Sequence, residues 1–400
     1  MDFRLTEEQE QIRAMVRDFA ASEIAPHVME WDEAQHFPLD VMKQLGELGL
    51  LGAIFPEEYG GAGLSYVDYI HIIEELAAVE SGIALALAAH NSLGAGHIYL
   101  AGSEAQRQRW LPKLTSGEWI GCWALTEPGS GSDAAGLRTT AVRDGDHWIL
   151  NGTKNFITNA SHAQIAVVLA VSDREDKRRG VTAFAVEMDT PGIRAGKKEN
   201  KLGMRTSDTA ELVLEDCRVP HENVLGEIGH GFIDAMKVLD GGRISIAALS
   251  LGIARGAYDA ARKYAAERQA FGKPIGHFQA IQFMLADMAT EIEAARLLSY
   301  RAATLKDAGE RTTTISSMAK LYASEVAVRA TEKGVQIFGG YGFVKEFPAE
   351  KFYRDVKLCT IGEGTSEIQR MVPAPDLLEG EAAPGGRHDD PATARIVALL

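Results

Sequence analysis

Hydrophobic periodicity changes twice along this chain, and a chain that switches period must assemble layers of different kinds. From Thr6 to about Trp119 the spacing is helical. In DYIHIIEELAAVESGIALALAAH, Asp68 to His90, residues Ile70, Ile73, Leu76 and Ala77 fall on one stripe, and Asp68 is placed to cap it. Pro26, Pro38, Pro56 and the run Gly60-Gly61-Ala62-Gly63 divide this region into several helices. From Ile120 to about Val224 the texture turns to short β-rich runs, HWILNG, AQIAVVLAV, GVTAFAVEM and AELVLEDCRV, separated by turn residues. Asn151-Gly152, between HWIL and TKNFIT, signals a hairpin in an antiparallel β domain. From Gly231 long helices return. HFQAIQFMLADMATEIEAARLLSYRAATL sets Ile281, Met284, Leu285, Met288, Ile292, Ala295 and Leu298 on a face wide enough for a bundle.

The expected organisation is therefore mainly α, in the α+β class: an N-terminal helical domain (1–119), a central antiparallel β domain (120–230) and a C-terminal helical bundle (231–375). Residues 376–400, rich in Pro, Gly, Ala and acid, read as a mobile tail. No internal repeat is evident.

Composition narrows the function. A formal net charge of −15 repels phosphate backbones and anionic membranes at long range, so nucleic acid is not an expected partner. No apolar run reaches the roughly 20 residues that cross a bilayer. MDFRLTEEQEQIR has neither a basic start nor an apolar signal core, which points to a cytoplasmic chain without membrane contact. The three cysteines, Cys122, Cys217 and Cys359, are widely spaced and suit a reducing compartment. None of the eleven histidines has metal-ligand spacing, and neither HExxH nor GxSxG occurs, so no metal is expected.

Four stretches carry candidate chemistry, each beside a plainer reading. LTEPGSGSD, Leu125 to Asp133, can turn several backbone N–H groups toward an anion, although taken alone such a loop is more often a surface turn. AERQAFGKPIGHFQAIQF breaks a helix at Gly272-Lys273-Pro274; a simple helix hairpin would not need the arginine that stands beside its aromatic. QIFGGYGF, Gln336 to Phe343, permits close backbone approach, or simply ends a helix. IGEGTSEIQR, Ile361 to Arg370, places Glu363 between two glycines. That glutamate is either a solvated loop acid or, if tucked into an apolar site, a general base whose pKa desolvation raises.

The order of these segments resembles the flavin-dependent acyl-CoA dehydrogenase family. TEPGSGSD, LNGTKNFITNA, TSDTAEL with its downstream VP, ERQAFGKPI with QAIQFMLADMA, QIFGGYG and YRD…IGEGTSEIQR recur in family order across roughly Leu5 to Met371. The resemblance implies an N-terminal helical domain, a central β domain and a C-terminal four-helix bundle, assembled as a homotetramer with FAD between the domains. It implies that Thr126 and Ser132 contact flavin and pyrophosphate, that Phe156 and Thr158 flank the isoalloxazine ring, and that Thr365 and Glu367 add further FAD contacts. Arg268, Phe271, Gln279, Gln336 and Gly340 are implied to reach the adenosine diphosphate half of FAD bound to a neighbouring subunit. Asp240 and Arg243 of LDGGR match the pair that meets CoA, and Ser132 also lies on the substrate side.

Glu363 matches the catalytic base, which removes the α-proton of the thioester. Some relatives carry the base just before the arginine of LDGGR, where this chain has Gly242. Three departures stand out: Phe156 where many members have tryptophan, Ala270 in place of a hydroxyl residue, and Gly362 in place of a tyrosine before the base. The implied activity is α,β-dehydrogenation of an acyl-CoA, with electrons passing to an electron-transfer flavoprotein. LAAHNSLGAGHI and LDGGRISIAALSLGIA resemble members acting on short straight or short branched chains, although the small Ala86, Ala88 and Ala89 could leave a deeper cavity. An oxygen-using acyl-CoA oxidase is the alternative on the same fold, and 400 residues leave no room for the extra helical domain such oxidases usually add. A non-catalytic binding protein on this fold is disfavoured by the acidic balance.

Overall fold

The computed structural model describes residues 4–173 and 180–379. Its first part contains α1 (Glu7–Phe19), α2 (Val28–Ala34), α3 (Leu39–Glu47), α4 (Tyr66–Ala77), α5 (Ser81–Ala88), α6 (Gly96–Ala101) and α7 (Glu104–Thr115). Ser65, rather than Asp68, caps α4. The Ser65 hydroxyl accepts from the Asp68 N–H (3.1 Å), while the Asp68 carboxylate accepts from the Ser65 N–H (3.0 Å). Asp68 therefore sits one turn in, as the acidic half of a capping box. The helical stripe also breaks before His90: Glu80 accepts from the Gly82 N–H (2.9 Å) and starts α5. Between α5 and α6 the chain widens into a π-turn over Ala89–Ala95, a local insertion often found at functional sites.

The middle of the chain forms one twisted sheet of β1 (Gly121–Ala124), β2 (Thr140–Asp144), β3 (His147–Thr158), β4 (Ile165–Val171), β5 (Val181–Glu187), β6 (Ile193–Lys198), β7 (Thr209–Pro220) and β8 (Val224–Leu225). Its order is β6-β7-β3-β2-β4-β5-β8, with β1 beside β4. Most pairs are antiparallel, as the alternation suggested, but β4 pairs in parallel with β1 and, at its end, with β2. Along β4, Ile165, Val167 and Leu169 face one core while Ala166, Val168 and Ala170 face another, so this strand is buried on both sides.

Asn151-Gly152 is not a hairpin. β3 runs straight through it, with a register shift against β7 between Leu150 and Gly152. A Cβ at Gly152 would come within 2.5 Å of the Thr139 hydroxyl, and the Asn151 amide exchanges hydrogen bonds with Asp216 on β7 (2.8 and 3.1 Å). Close packing and a cross-strand partner make this Asn-Gly a bulge. The β2–β3 turn falls instead at Gly145, which takes a φ of 59°.

The C-terminal part contains α8 (Gly231–Glu267), α9 (Gln279–Asp307), α10 (Thr313–Phe338), α11 (Ala349–Asp355), α12 (Ser366–Met371) and α13 (Ala374–Glu379). Three long helices and the shorter α11 make the bundle. The break at Gly272-Lys273-Pro274 is a small hairpin of β9 (Gln269–Ala270) and β10 (Lys273–Pro274), turned by Phe271 and Gly272 at φ 52° and 78°. Helix α13 crosses the 375/376 boundary drawn from composition, and the Thr314 hydroxyl donates to Asp376 within it. The rest of the expected tail lies outside the described residues.

The N-terminal helices and the bundle share a single hydrophobic core. Gly252 and Gly256 explain how α4 and α8 approach: a Cβ at either would come within 2.5 Å of α4 or of the carbonyl of Ala78 just after it. Buried charges bind the same seam, where Glu74 meets Arg255 (3.2 Å) and Arg296 (2.9 Å), and Glu75 meets Arg13 (2.8 Å) and Arg255 (2.7 Å). Among the described residues no helix is long and apolar enough to cross a membrane, and no cluster of His, Cys, Asp and Glu could hold a metal ion. The three cysteines are free and buried.

Candidate active site

Glu363 lies in the loop between α11 and α12. The segment before it is anchored through Asp355 of YRD, which accepts from the Ser81 hydroxyl (2.7 Å), the Lys351 ammonium (2.6 Å) and the Met204 N–H (2.5 Å). The segment after it is fixed by Thr365, whose hydroxyl caps α12 by accepting from the Ile368 N–H (3.3 Å). Between these anchors Glu363 adopts a φ of 52°, uncommon for a residue with a side chain, and Gly364 follows at 93°. The Gln369 amide donates to the carbonyls of both Glu363 (3.0 Å) and Gly364 (3.2 Å), and the fully buried Lys320 ammonium donates to the Gly364 carbonyl (2.6 Å). This backbone twist turns the side chain inward.

The Glu363 carboxylate ends against Gly242 of α8. Oε2 is sealed from solvent without a hydrogen-bond partner, and a Cβ at Gly242 would stand 2.1 Å from it. Leu93, from the π-turn, borders the same spot. Burial pushes the pKa of Glu363 up to about 7, while Lys320 and then Arg243 pull it back. A carboxyl group poised near neutrality, with an orphaned oxygen in an apolar corner, is equipped to take a proton from carbon. Among the described residues the Glu363 N–H also makes no hydrogen bond and remains available to an acceptor.

The LTEPGSGSD loop is bolted to β3. The Lys154 ammonium, fully buried, pairs with Glu127 (2.7 Å) and donates to the Leu125 carbonyl (3.1 Å), and the Asn155 N–H donates to the Thr126 carbonyl (2.8 Å). Glu127 in turn accepts from the N–H groups of Arg138 (2.7 Å) and Thr139 (3.0 Å). Burial lowers the Lys154 pKa to about 8, against the pull of Glu127. Just beyond Lys154 a second register shift in β3 carries Phe156 at a φ of 56°, the residue 61% exposed, and Thr158 ends the strand half-buried. The structure thus brings the loop holding Thr126 and the bulge holding Phe156 together, with Ser132 at the loop's exposed tip.

Another group of expected residues lies elsewhere on the chain. Arg268 and Gly340 line a groove of ≈ 740 Å³ with Tyr264, Phe338, Tyr341 and Phe347, and the Arg268 guanidinium sits 5.3 Å from the Tyr341 ring centre. Glu363, Thr126 and Phe156 are not part of that lining. Gln279, Gln336 and Phe271 are exposed, Phe271 at 95%. Asp240 and Arg243 pair at 2.6 Å, and the Thr313 hydroxyl donates to Asp240 (2.7 Å). The buried Arg243 Nε keeps no partner. Glu367 is exposed in the first turn of α12.

Sequence reasoning did not single out Lys320, Gln369, Lys154 or Glu127. Glu127, Lys154 and Gln369 fall inside quoted motifs, and the signal for Lys320 is a lone cation among Ser316, Ser317, Ala319 and Ala323 on α10.

An exposed ring on strained backbone beside a glycine and hydroxyl loop, together with an orphaned carboxylate oxygen, fits a planar, phosphate-bearing cofactor. Three family models match in succession: acyl-CoA dehydrogenase N-terminal domain over residues 6–118, middle domain over 122–217 and C-terminal domain over 229–378. The chain is 50% identical over 374 residues to the mitochondrial short-chain specific acyl-CoA dehydrogenase of Rattus norvegicus, covering 94% of this chain and 91% of the rat protein. It superposes with a TM-score of 0.94 on a chain from structural work on the electron transferring flavoprotein of Acidaminococcus fermentans and flavin-based electron bifurcation, 49% identical over 95% of this chain and 100% of that one. An acyl-CoA dehydrogenase of Bacillus anthracis complexed with FAD gives a TM-score of 0.89 at 38% identity, covering 94% of this chain and 67% of the other. By sequence along nearly its whole length, and by fold, the chain belongs to the acyl-CoA dehydrogenase family.

Proposed function

We propose that this protein is an FAD-dependent dehydrogenase that converts a short-chain acyl-CoA to its 2-enoyl-CoA and passes the electrons to an electron-transfer flavoprotein. The observation that carries this reading is Glu363: strained backbone, sealed carboxylate and a pKa near 7 meet at the family's base position. The Glu363 carboxylate takes the α-proton, and the electron pair of that C–H bond becomes the new double bond. FAD, when bound, supplies the acceptor for the hydride that leaves the β-carbon. The free Glu363 N–H would stabilise the oxygen of the thioester as negative charge grows on it. Leu93 and Gly242 keep water from the carboxylate, which sustains its basicity.

Thr126, Ser132, Phe156 and Thr158 would hold the flavin end of FAD, with Thr365 and Glu367 nearby in sequence to the base. The Thr365 hydroxyl is already engaged as a helix cap. The groove of Arg268 and Gly340, with exposed Phe271, Gln279 and Gln336, would serve the cofactor of a neighbouring subunit, and we assign a homotetramer on that basis. Asp240 and Arg243, with a guanidinium nitrogen left open, would meet CoA. Preference for acyl groups of about C4 to C8 rests on the likeness to the short-chain enzyme and on packing, each methylene being worth about 1–3 kcal/mol in discrimination. Ala86 and Ala88 are fully buried in the shared core, which supports a short pocket, while Ala89 packs with Leu93 and Val238.

The test is Glu363→Gln in the FAD-loaded protein, assayed from butyryl-CoA to palmitoyl-CoA with isobutyryl-CoA included. FAD and acyl-CoA binding persist while turnover is nearly abolished. Retained turnover in this variant, or an optimum on the longest chains, would overturn the corresponding part of the proposal.

A further inference from the structure

Helix α10 places one cation directly beneath the base-bearing loop. Lys320 is fully buried, and its Nζ donates to the carbonyl of Gly364, the residue after Glu363. No carboxylate lies within ion-pair distance of it among the described residues, unlike Lys154 and Lys351, which meet Glu127 and Asp355 at 2.7 and 2.6 Å. A buried ammonium held by a carbonyl alone carries a desolvation cost that a structural hydrogen bond does not require, since a neutral donor such as the neighbouring Gln369 amide already reaches the same oxygen.

We infer that Lys320 is a positioning residue for the dehydrogenation, holding Glu363 in its left-handed conformation through Gly364 and placing a fixed positive charge under the carboxylate. The inference rests on Glu363 being the base. Gln369 shares the geometric part, since it binds both loop carbonyls, but it is neutral and cannot share the electrostatic part. The charged and titratable groups around this pair are few. Arg243 of α8 also favours the Glu363 carboxylate, Glu367 of α12 and the buried Cys359 act on Lys320, and Arg243 opposes the Lys320 charge. Burial lowers Lys320 to about 8, above the value of about 7 for Glu363, so it is mostly charged at the midpoint of the Glu363 titration.

Glu363 works as the carboxylate, so kcat rises with pH through its pKa. Removing the cation destabilises the carboxylate and moves that limb to higher pH, by about one unit for an opposite charge at short range.

The experiment measures kcat and KM against pH for FAD-loaded protein with butyryl-CoA, in the unsubstituted protein and in Lys320→Met, Lys320→Gln, Lys320→Arg and Gln369→Leu. Lys320→Met and Lys320→Gln shift the acidic limb of kcat upward by about one pH unit with little change in KM. Lys320→Arg keeps the limb in place, and Gln369→Leu lowers kcat without moving it. An unmoved limb in Lys320→Gln, or failure of both neutral variants to fold while Lys320→Arg is normal, overturns the inference and leaves Lys320 a structural residue. Glu363→Gln is the control that separates the two claims: if it stays active the base assignment has failed, whereas an inactive Glu363→Gln beside an indifferent Lys320→Gln sinks only the role of Lys320.

Discussion

Gly242→Ala isolates a single contact in the middle of the site. The added methyl would stand 2.1 Å from Glu363 Oε2 and 3.0 Å from Leu93 Cδ2, where ordinary contact begins at 3.4 Å. Helix α8 is packed into the shared core and cannot yield, so the flexible glutamate end retreats, by about 1.3 Å along the line of contact. A misplacement of about 1 Å at a reacting group lowers the rate on the order of 10²-fold, which corresponds to about 2.7 kcal/mol of activation free energy. Stability moves the other way. Alanine within a helix is favoured over glycine by about 1 kcal/mol, and the three nearest atoms are all side-chain ends, of Glu363 and Leu93. The variant is therefore expected to be at least as stable as the parent, to retain FAD and to keep a similar KM, yet to turn over about a hundredfold more slowly. Thermal unfolding, flavin absorbance and steady-state kinetics with butyryl-CoA measure the three. A kcat within threefold of the parent would show that the carboxylate does not work from the position against Gly242. The same geometry explains why only one of the two family base positions can be used here: a side chain at 242 would occupy the space of the Glu363 carboxylate.

In the unsubstituted protein, kcat should rise with pH and level off above about 7, the value to which burial brings Glu363; a profile flat from pH 5 to 8 contradicts the assignment. Because that pKa is raised on folding, the carboxyl group favours the folded state fully below its unfolded value near 4.5 and progressively less as pH rises through 7. Glu363→Gln should accordingly be more stable than the parent at pH 8, by on the order of 1–3 kcal/mol, with the gap closing by pH 5 in denaturant titrations. Lys154→Met leaves Glu127 buried without its partner, at a cost of about 3–5 kcal/mol, and should weaken FAD retention because it frees the loop of Thr126; unchanged stability would refute the buried pair. Mixing inactive Arg268→Ala and Glu363→Gln subunits should restore some activity through hybrid assemblies, and a fully active monomer would contradict the shared cofactor site.

The sequence by itself determined the succession of helical, β and helical regions, because hydrophobic period is a local property that survives any arrangement of the elements. A glutamate between glycines in IGEGTSEIQR also marked Glu363 as a candidate base, whereas its positive φ belongs to the folded loop. Where two outcomes share one local signal, tertiary packing chose between them. Asn151-Gly152 carries a turn signature, yet Thr139 and Asp216 hold it inside β3 as a bulge. Asp68 can start a helix, yet Ser65 lay three residues earlier with the better geometry. The separation into N-terminal and C-terminal domains followed the β interruption in the chain, whereas the helices on either side of it close over one core. The buried cations were least legible of all. Lys154 and Lys320 look like ordinary surface residues until partners 27 and 44 positions away are brought against them. Whether Glu363 is a solvated acid or a buried carboxyl group with a pKa near 7 depended in the same way on Gly242 and Leu93, distant in sequence, because desolvation belongs to the packed surroundings of a group and not to the residues beside it in the chain.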